Sequence, residues 1–152
     1  RRAAEHKGTA FVEIFQNCIV FNDGAYDAIT DKSLRDDARL LLEHGKPLIY
    51  GKGRDKGVRL RGLEPEAVAL GEGGVSEADL VVHDEAAEHG GLAFFLSQFD
   101  APALPVPLGV FRAVSAPSYE DMNLQLHADA EARKGRGTLA GLFNSGDTWT
   151  IE

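Results

Sequence analysis

Gly8-Thr9-Ala10-Phe11-Val12-Glu13-Ile14-Phe15-Gln16-Asn17-Cys18-Ile19-Val20-Phe21-Asn22-Asp23-Gly24 is the stretch from which the fold class is read. It holds the longest alternating apolar run of the chain, which predicts a strand over residues 10–16. It also carries the only cysteine, Cys18, and closes on Asn22-Asp23-Gly24, a turn signal in which glycine permits positive φ. A strand that delivers one thiol to its end, just before a polar turn, matches the way open α/β sheets present their chemistry. Upstream, residues 1–7 read as the last turns of a helix closed by Gly8. A helix end running straight into a strand gives the expectation that the chain enters in the middle of a βα unit, as a piece of a longer protein would.

The 152 residues, with 43% apolar and 26% charged side chains, describe one globular core rather than a disordered or fibrous chain. No apolar run approaches the ~18 residues of a membrane-spanning helix. A single cysteine leaves no internal disulfide framework and suits a reducing compartment, so the expected location is the cytoplasm. The net charge of −8 is unevenly spread: residues 1–62 sum to +3 and residues 63–152 to −11. Such an acidic portion repels a phosphate backbone, which argues against nucleic acid as a partner of the whole. The basic portion suits an acidic partner or a cofactor phosphate.

Beyond Gly24, residues 39–42 and 47–50 flank Glu43-His44-Gly45-Lys46 and read as a hairpin, with a helix over residues 33–43 as the competing reading. Residues 51–62, GKGRDKGVRLRG, place Lys52, Arg54 and Lys56 on glycine-rich turns. They lack the Ser/Thr and the leading strand of a phosphate-binding loop, and a solvated hairpin with Val58 and Leu60 facing inward is the simpler reading. Residues 80–83 predict a short strand. Residues 86–99 predict a helix with Leu92, Phe95, Leu96 and Phe99 on one side, weakened by Gly90-Gly91. The prolines of residues 101–107 make a stiff connector unsuited to a central strand, and residues 110–114 read as a strand. Ser118, with Asp121 three positions on, forms a capping-box start for a helix reaching Lys134 and stopped by Gly135. Residues 139–143 add one or two helical turns.

Candidate chemistry is sparse. The histidines His6, His44, His83, His89 and His127 show no metal-ligand spacing on one helix face. His83-Asp84-Glu85 could hold a divalent cation, but polar surface residues after a strand explain the run equally well. A nucleophilic Cys18 needs a basic partner to lower its pKa, and the sequence names none. A lone thiol beside Ile19 and Val20 is ordinarily buried and inert. Gln16, Asn17, Asn22 and Asp23 crowd around this one, and an iron–sulfur ligand fits that setting, since amide N–H groups bond to cluster sulfurs.

The run from His6 to Gly24, with Gln16-Asn17-Cys18 at its centre, resembles the beta subunit of the 2-oxoacid:ferredoxin oxidoreductases, the 2-oxoglutarate type most closely. Leu42-Glu43-His44-Gly45-Lys46-Pro47-Leu48, Gly109-Val110-Phe111-Arg112 and Ser145-Gly146-Asp147-Thr148-Trp149 follow in the same order. The resemblance implies that Cys18 is a ligand of a [4Fe–4S] cluster, with Gln16, Asn17 and Asn22 in its surroundings. It implies that thiamine diphosphate, Mg²⁺ and the other cluster cysteines belong to an earlier part of the subunit. The implied fold is α/β: terminal elements of the thiamine-diphosphate-binding domain at residues 1–24, then a mixed α+β extension at residues 25–152. That extension is expected to pack on the core and on the alpha subunit of a heterotetramer. The implied reaction is oxidative decarboxylation of a 2-oxoacid with coenzyme A, electrons passing to ferredoxin. By itself the chain is expected to be inactive and to hold none of these cofactors. A pyruvate-type complex and a non-enzymatic interaction module are the alternatives. Phe94, Phe111 and Phe143 are the aromatics expected at the surface where partner surface is missing.

Overall fold

The computed structural model describes residues 1–149 and residue 151, and it mixes helices with short strands in two compact units. One unit comprises residues 13–114, the other residues 1–12 with 115–152.

The larger unit is built on two small sheets. β1 (Arg39–Leu41) pairs in parallel with β5 (Val106–Leu108), Leu40 standing opposite Pro107. β2 (Ile49–Tyr50), β3 (Lys56–Arg61) and β4 (Glu64–Ala69) form an antiparallel sheet in the order β2-β3-β4. The predicted hairpin of residues 39–50 is therefore corrected. A turn does form at its centre, closed by Lys46 N–H to Glu43 O at 3.1 Å. The strands on either side of it, however, join different sheets. The competing helix survives as one turn, α3 (Arg35–Ala38), directly before β1. An earlier single turn, α2 (Asp27–Thr30), buries Ile29.

The basic stretch does enter a hairpin. β3 and β4 are joined by Gly62-Leu63, and Gly62 has φ 68, the left-handed value a two-residue turn takes at its first central position. Val58 is fully buried as expected, while Leu60 is about half exposed, a correction to its inward reading. Residues 80–83 run extended between two neighbours. Val81 N–H donates to Val58 O at 2.9 Å, and Leu48 N–H donates to Val81 O at 2.8 Å. Gly57 makes this possible, because a Cβ there would lie 2.5 Å from Leu80 Cδ1.

The predicted helix of residues 86–99 is trimmed to α4 (Gly91–Ser97): Gly90 sits at its start and the preceding residues stay non-helical. Its apolar side is as read. Leu96 is fully buried in a core with Leu40, Leu48, Val58 and Phe99, and Phe95 meets Phe99 edge-on at 5.0 Å. Each such side chain contributes about 1.5–3 kcal/mol on burial. The proline tract passes into β5, which lies on one side of a two-stranded pair, where Pro107 forfeits little. Residues 110–114 form no strand. They are tied instead by Ala113 N–H to Glu85 O and by the His83 ring to Val110 O. Phe111 packs against the core, so of the three aromatics expected at the surface only Phe94 and Phe143 are exposed.

In the smaller unit, α1 (Arg2–Glu5) matches the expected helix end. α5 (Tyr119–Lys134) begins with the anticipated capping box. Ser118 Oγ accepts from Asp121 N–H at 3.1 Å, and the Asp121 carboxylate accepts from Ser118 N–H. Gly135, with φ 75, closes it. α6 (Leu139–Phe143) follows, capped by Thr138. No residue of α5 is buried, and Tyr119, Met122, Leu124 and Leu126 are exposed.

Candidate functional site

The strand predicted over residues 10–16 is absent, and this is the main correction: the segment forms no ladder with any described residue, and Phe11, Val12 and Ile14 are exposed. Alternation fits a side-chain period of two, but a strand also needs a neighbour to take its backbone hydrogen bonds. The segment leads instead into a tight loop, residues 17–24, that presents Cys18.

Two features shape that loop. Asn22 N–H donates to Cys18 O at 2.9 Å, closing a turn over Ile19-Val20-Phe21. Around it, the Asn17 side chain acts as a clasp. Its Nδ2 donates to Asp23 Oδ1 at 2.8 Å, and its Oδ1 accepts from Gly24 N–H at 3.0 Å. Gly24 takes φ 77, and a Cβ there would press on the Asp27 carboxylate at 3.0 Å. Phe15 stacks on Tyr26 with ring centroids 5.2 Å apart, so the two flanks of the loop are held together.

Cys18 is exposed, contrary to the inert buried thiol that its apolar neighbours suggest. Its pKa is held below the usual thiol value by the backbone N–H of Phe21, then that of Val20, with a smaller effect from Asn22. Partial desolvation opposes them. A ring of N–H donors around a sulfur stabilises its anion, which is the form that binds metal. No histidine contributes to the shift, and the His44 ring lies against Asp84 and the Glu85 N–H.

Of the residues read from sequence, Cys18, Asn17 and Asn22 therefore come together in one loop. Asn17 holds the loop's shape, whereas Asn22 acts through its backbone. Gln16 is exposed and precedes the clasp. Val20 and Phe21 were not legible as donors, because their contribution comes from the main chain; the Asn-Asp-Gly turn beside Cys18 was the only hint of it.

The remaining candidates separate. His83 is buried, its Nε2 2.8 Å from Val110 O and its Nδ1 without a hydrogen-bond partner, so the reading of His83-Asp84-Glu85 as polar surface is corrected at His83. Among the described residues, no three His, Cys, Asp or Glu side chains converge as a metal-binding group. Of the basic loop, Lys56 is engaged by Asp37 at 2.8 Å, while Lys52 and Arg54 line an open concavity with Arg35 and Arg39. No helix among the described residues is long and apolar enough to cross a membrane.

A [4Fe–4S] cluster requires four ligands, and the chain has one cysteine. The exposed Cys18 sulfur with its backbone donors fits one such position.

No family model matches the sequence, and no solved structure matches it. The chain is 33% identical over 155 aligned residues to the 2-oxoglutarate oxidoreductase subunit KorB of Mycobacterium tuberculosis. The match covers 100% of this chain and 41% of that relative. The resemblance read from the sequence agrees with this match: the chain is similar throughout its length to that 2-oxoglutarate oxidoreductase subunit and spans less than half of it.

Proposed function

We propose that this chain is part of the beta subunit of a 2-oxoacid:ferredoxin oxidoreductase of the 2-oxoglutarate type, in which Cys18 supplies one thiolate to a shared [4Fe–4S] cluster. The observation that carries the reading is the exposed Cys18 thiol, its pKa lowered by the backbone N–H groups of Phe21 and Val20, inside a chain similar throughout to KorB. When bound, the cluster would accept the electrons of the decarboxylation one at a time and pass them to ferredoxin.

What this chain's own residues do is narrower. The N–H groups of Phe21, Val20 and Asn22 stabilise negative charge on Sγ. Asn17, bound to Asp23 and Gly24, ties the two ends of that loop together. The loop tip Ile19-Val20-Phe21 is 79%, 76% and 91% exposed, a hydrophobic cap that would exclude water once covered by the rest of the subunit. Ile14, earlier in the same unit, is exposed as well.

In this reading residues 1–24 finish the thiamine-diphosphate domain and residues 25–152 are the extension that meets the core and the alpha subunit. Thiamine diphosphate, Mg²⁺ and the other cluster cysteines come from outside the chain, coenzyme A and the 2-oxoacid are substrates, and the complex works in the cytoplasm. Reduction of methyl viologen by the complete gene product with its partner subunit, given coenzyme A and either 2-oxoglutarate or pyruvate, is the test. Reduction with 2-oxoglutarate, lost in Cys18→Ser, is expected. Preference for pyruvate moves the reading to the pyruvate-type complex, and no reduction with either acid overturns it.

A further inference from the structure

The β2–β3 turn carries a conformation that its sequence does not favour. Arg54 N–H closes the turn on Gly51 O at 3.0 Å, and Arg54 then takes φ 53. Among the described residues it is the one non-glycine side chain with positive φ. Hairpins ordinarily put glycine at such a position, because a Cβ there crowds the backbone. A residue held against its backbone preference points toward what its side chain reaches.

Arg54 lines the rim of an open concavity of about 430 Å³, shared with Arg35, Arg39 and Lys52. Four cations line it with two carboxylates, Asp36 and Glu43, while the Asp37 and Asp55 carboxylates stand beside Gly51 of the same lining. Arg35 is 3.5 Å from Asp36, and Arg39 donates to the Ile29 carbonyl, so these two are partly engaged. Lys56 and Arg59 of the same hairpin are paired with Asp37 and Glu66. Lys52 adds its field to Asp37, but neither Lys52 nor Arg54 makes an ion pair among the described residues. The apolar wall is Leu41, exposed, and Tyr50, half-buried, above the buried Ile49.

We propose that this concavity binds the phosphate groups of a small phosphorylated ligand, with Arg54 and Lys52 on the phosphate oxygens and the ligand's organic part against Leu41 and Tyr50. A guanidinium offers two parallel N–H donors to one phosphate. The volume lies within the range of small-molecule sites. In so open a site a singly charged group would be held weakly against solvent, which favours a ligand carrying two or more charges. This site is separate from Cys18 and does not depend on the redox reading.

Arg54→Gly separates binding from folding, since glycine suits φ 53 better than arginine. Isothermal titration of the full chain with ADP, adenosine and inorganic pyrophosphate reads the site. Saturable ADP binding is expected, with displacement by pyrophosphate and little affinity for adenosine. Arg54→Gly should weaken ADP at least about tenfold, the loss of one charge-assisted contact, while its melting temperature holds or rises. Lys52→Gln should weaken ADP as well. Failure of ADP to saturate, equal binding of ADP and adenosine, no displacement by pyrophosphate, or unchanged affinity in Arg54→Gly would each overturn the proposal. So would capture of an acidic peptide by the concavity in place of ADP.

Discussion

Gly57→Ala in β3 tests how residues 80–83 lie beside the β2-β3-β4 sheet. A Cβ at residue 57 would stand 2.5 Å and 2.7 Å from the two Leu80 methyls and 3.1 Å from Leu80 Cγ. Leu80 is buried, so its side chain has little room to turn away. Overpacking of this kind costs about 1–3 kcal/mol. Replacing glycine within a strand returns about 0.5–1 kcal/mol through the unfolded chain. The net expectation is a destabilisation of about 1–2 kcal/mol. In a Leu80→Ala background the clash is gone and only the favourable part remains, so Gly57→Ala should then stabilise by about 0.5–1 kcal/mol. Urea denaturation of the four proteins of this cycle gives both numbers. A Gly57→Ala effect of the same sign and size in both backgrounds would refute the contact.

Further outcomes follow from the loop and the caps. Cys18 should react with iodoacetamide faster than an unperturbed thiol at pH 7, because its lowered pKa raises the thiolate fraction; Phe21→Pro, which removes the leading N–H donor, should slow it, and an unchanged rate would contradict that donor's role. Asn17→Ala should speed hydrogen exchange at the Gly24 amide, which loses its acceptor, and protection equal to wild type would mean the clasp is not formed. His83→Leu takes the hydrogen-bond donor from the partly buried Val110 carbonyl and should cost about 1–3 kcal/mol in urea denaturation, with a change under 0.5 kcal/mol as the contrary result. The Asp121 carboxyl is held below its usual range by Lys7 first and Ser118 second. Its contribution is therefore present above the unfolded pKa of about 3.9 and is lost as pH falls through the lower folded value. Helical circular dichroism should decline on acidification from pH 5 to 2, and less steeply in Asp121→Asn.

What was legible in the sequence is what local chemistry decides. Ser118, Asp121 and Gly135 bound α5 because a cap acts within four residues of itself. Leu92, Phe95 and Leu96 declared the inner side of α4, with Phe99 just beyond its end, and Gly90 explains its late start. Pairing was not legible. β1 finds its partner more than sixty residues away at Val106–Leu108, a parallel match that no short-range turn announces, so the nearer β2 was the natural and mistaken choice. Residues 10–16 show the same gap from the other side, an alternating pattern without a ladder. At the site, Cys18 and the Asn22-Asp23-Gly24 turn could be read directly, and Asn17 could be named. Its actual task, clasping Asp23 and Gly24, depends on a loop geometry that residue types alone do not fix. Arg35, Arg39 and Tyr50, from three separate elements, meet around one concavity that only the tertiary fold assembles.

If Cys18 is one ligand of a shared cluster, the iron content of the protein depends on it. Iron and acid-labile sulfide, measured on the anaerobically purified complete gene product and on its Cys18→Ala variant, test that dependence. Four irons and four sulfides per subunit in the parent, with clear loss in the variant while thiamine diphosphate stays bound, is the predicted result. Equal iron in the two proteins, or none in the parent, would contradict it and leave Cys18 an exposed thiol on a binding surface.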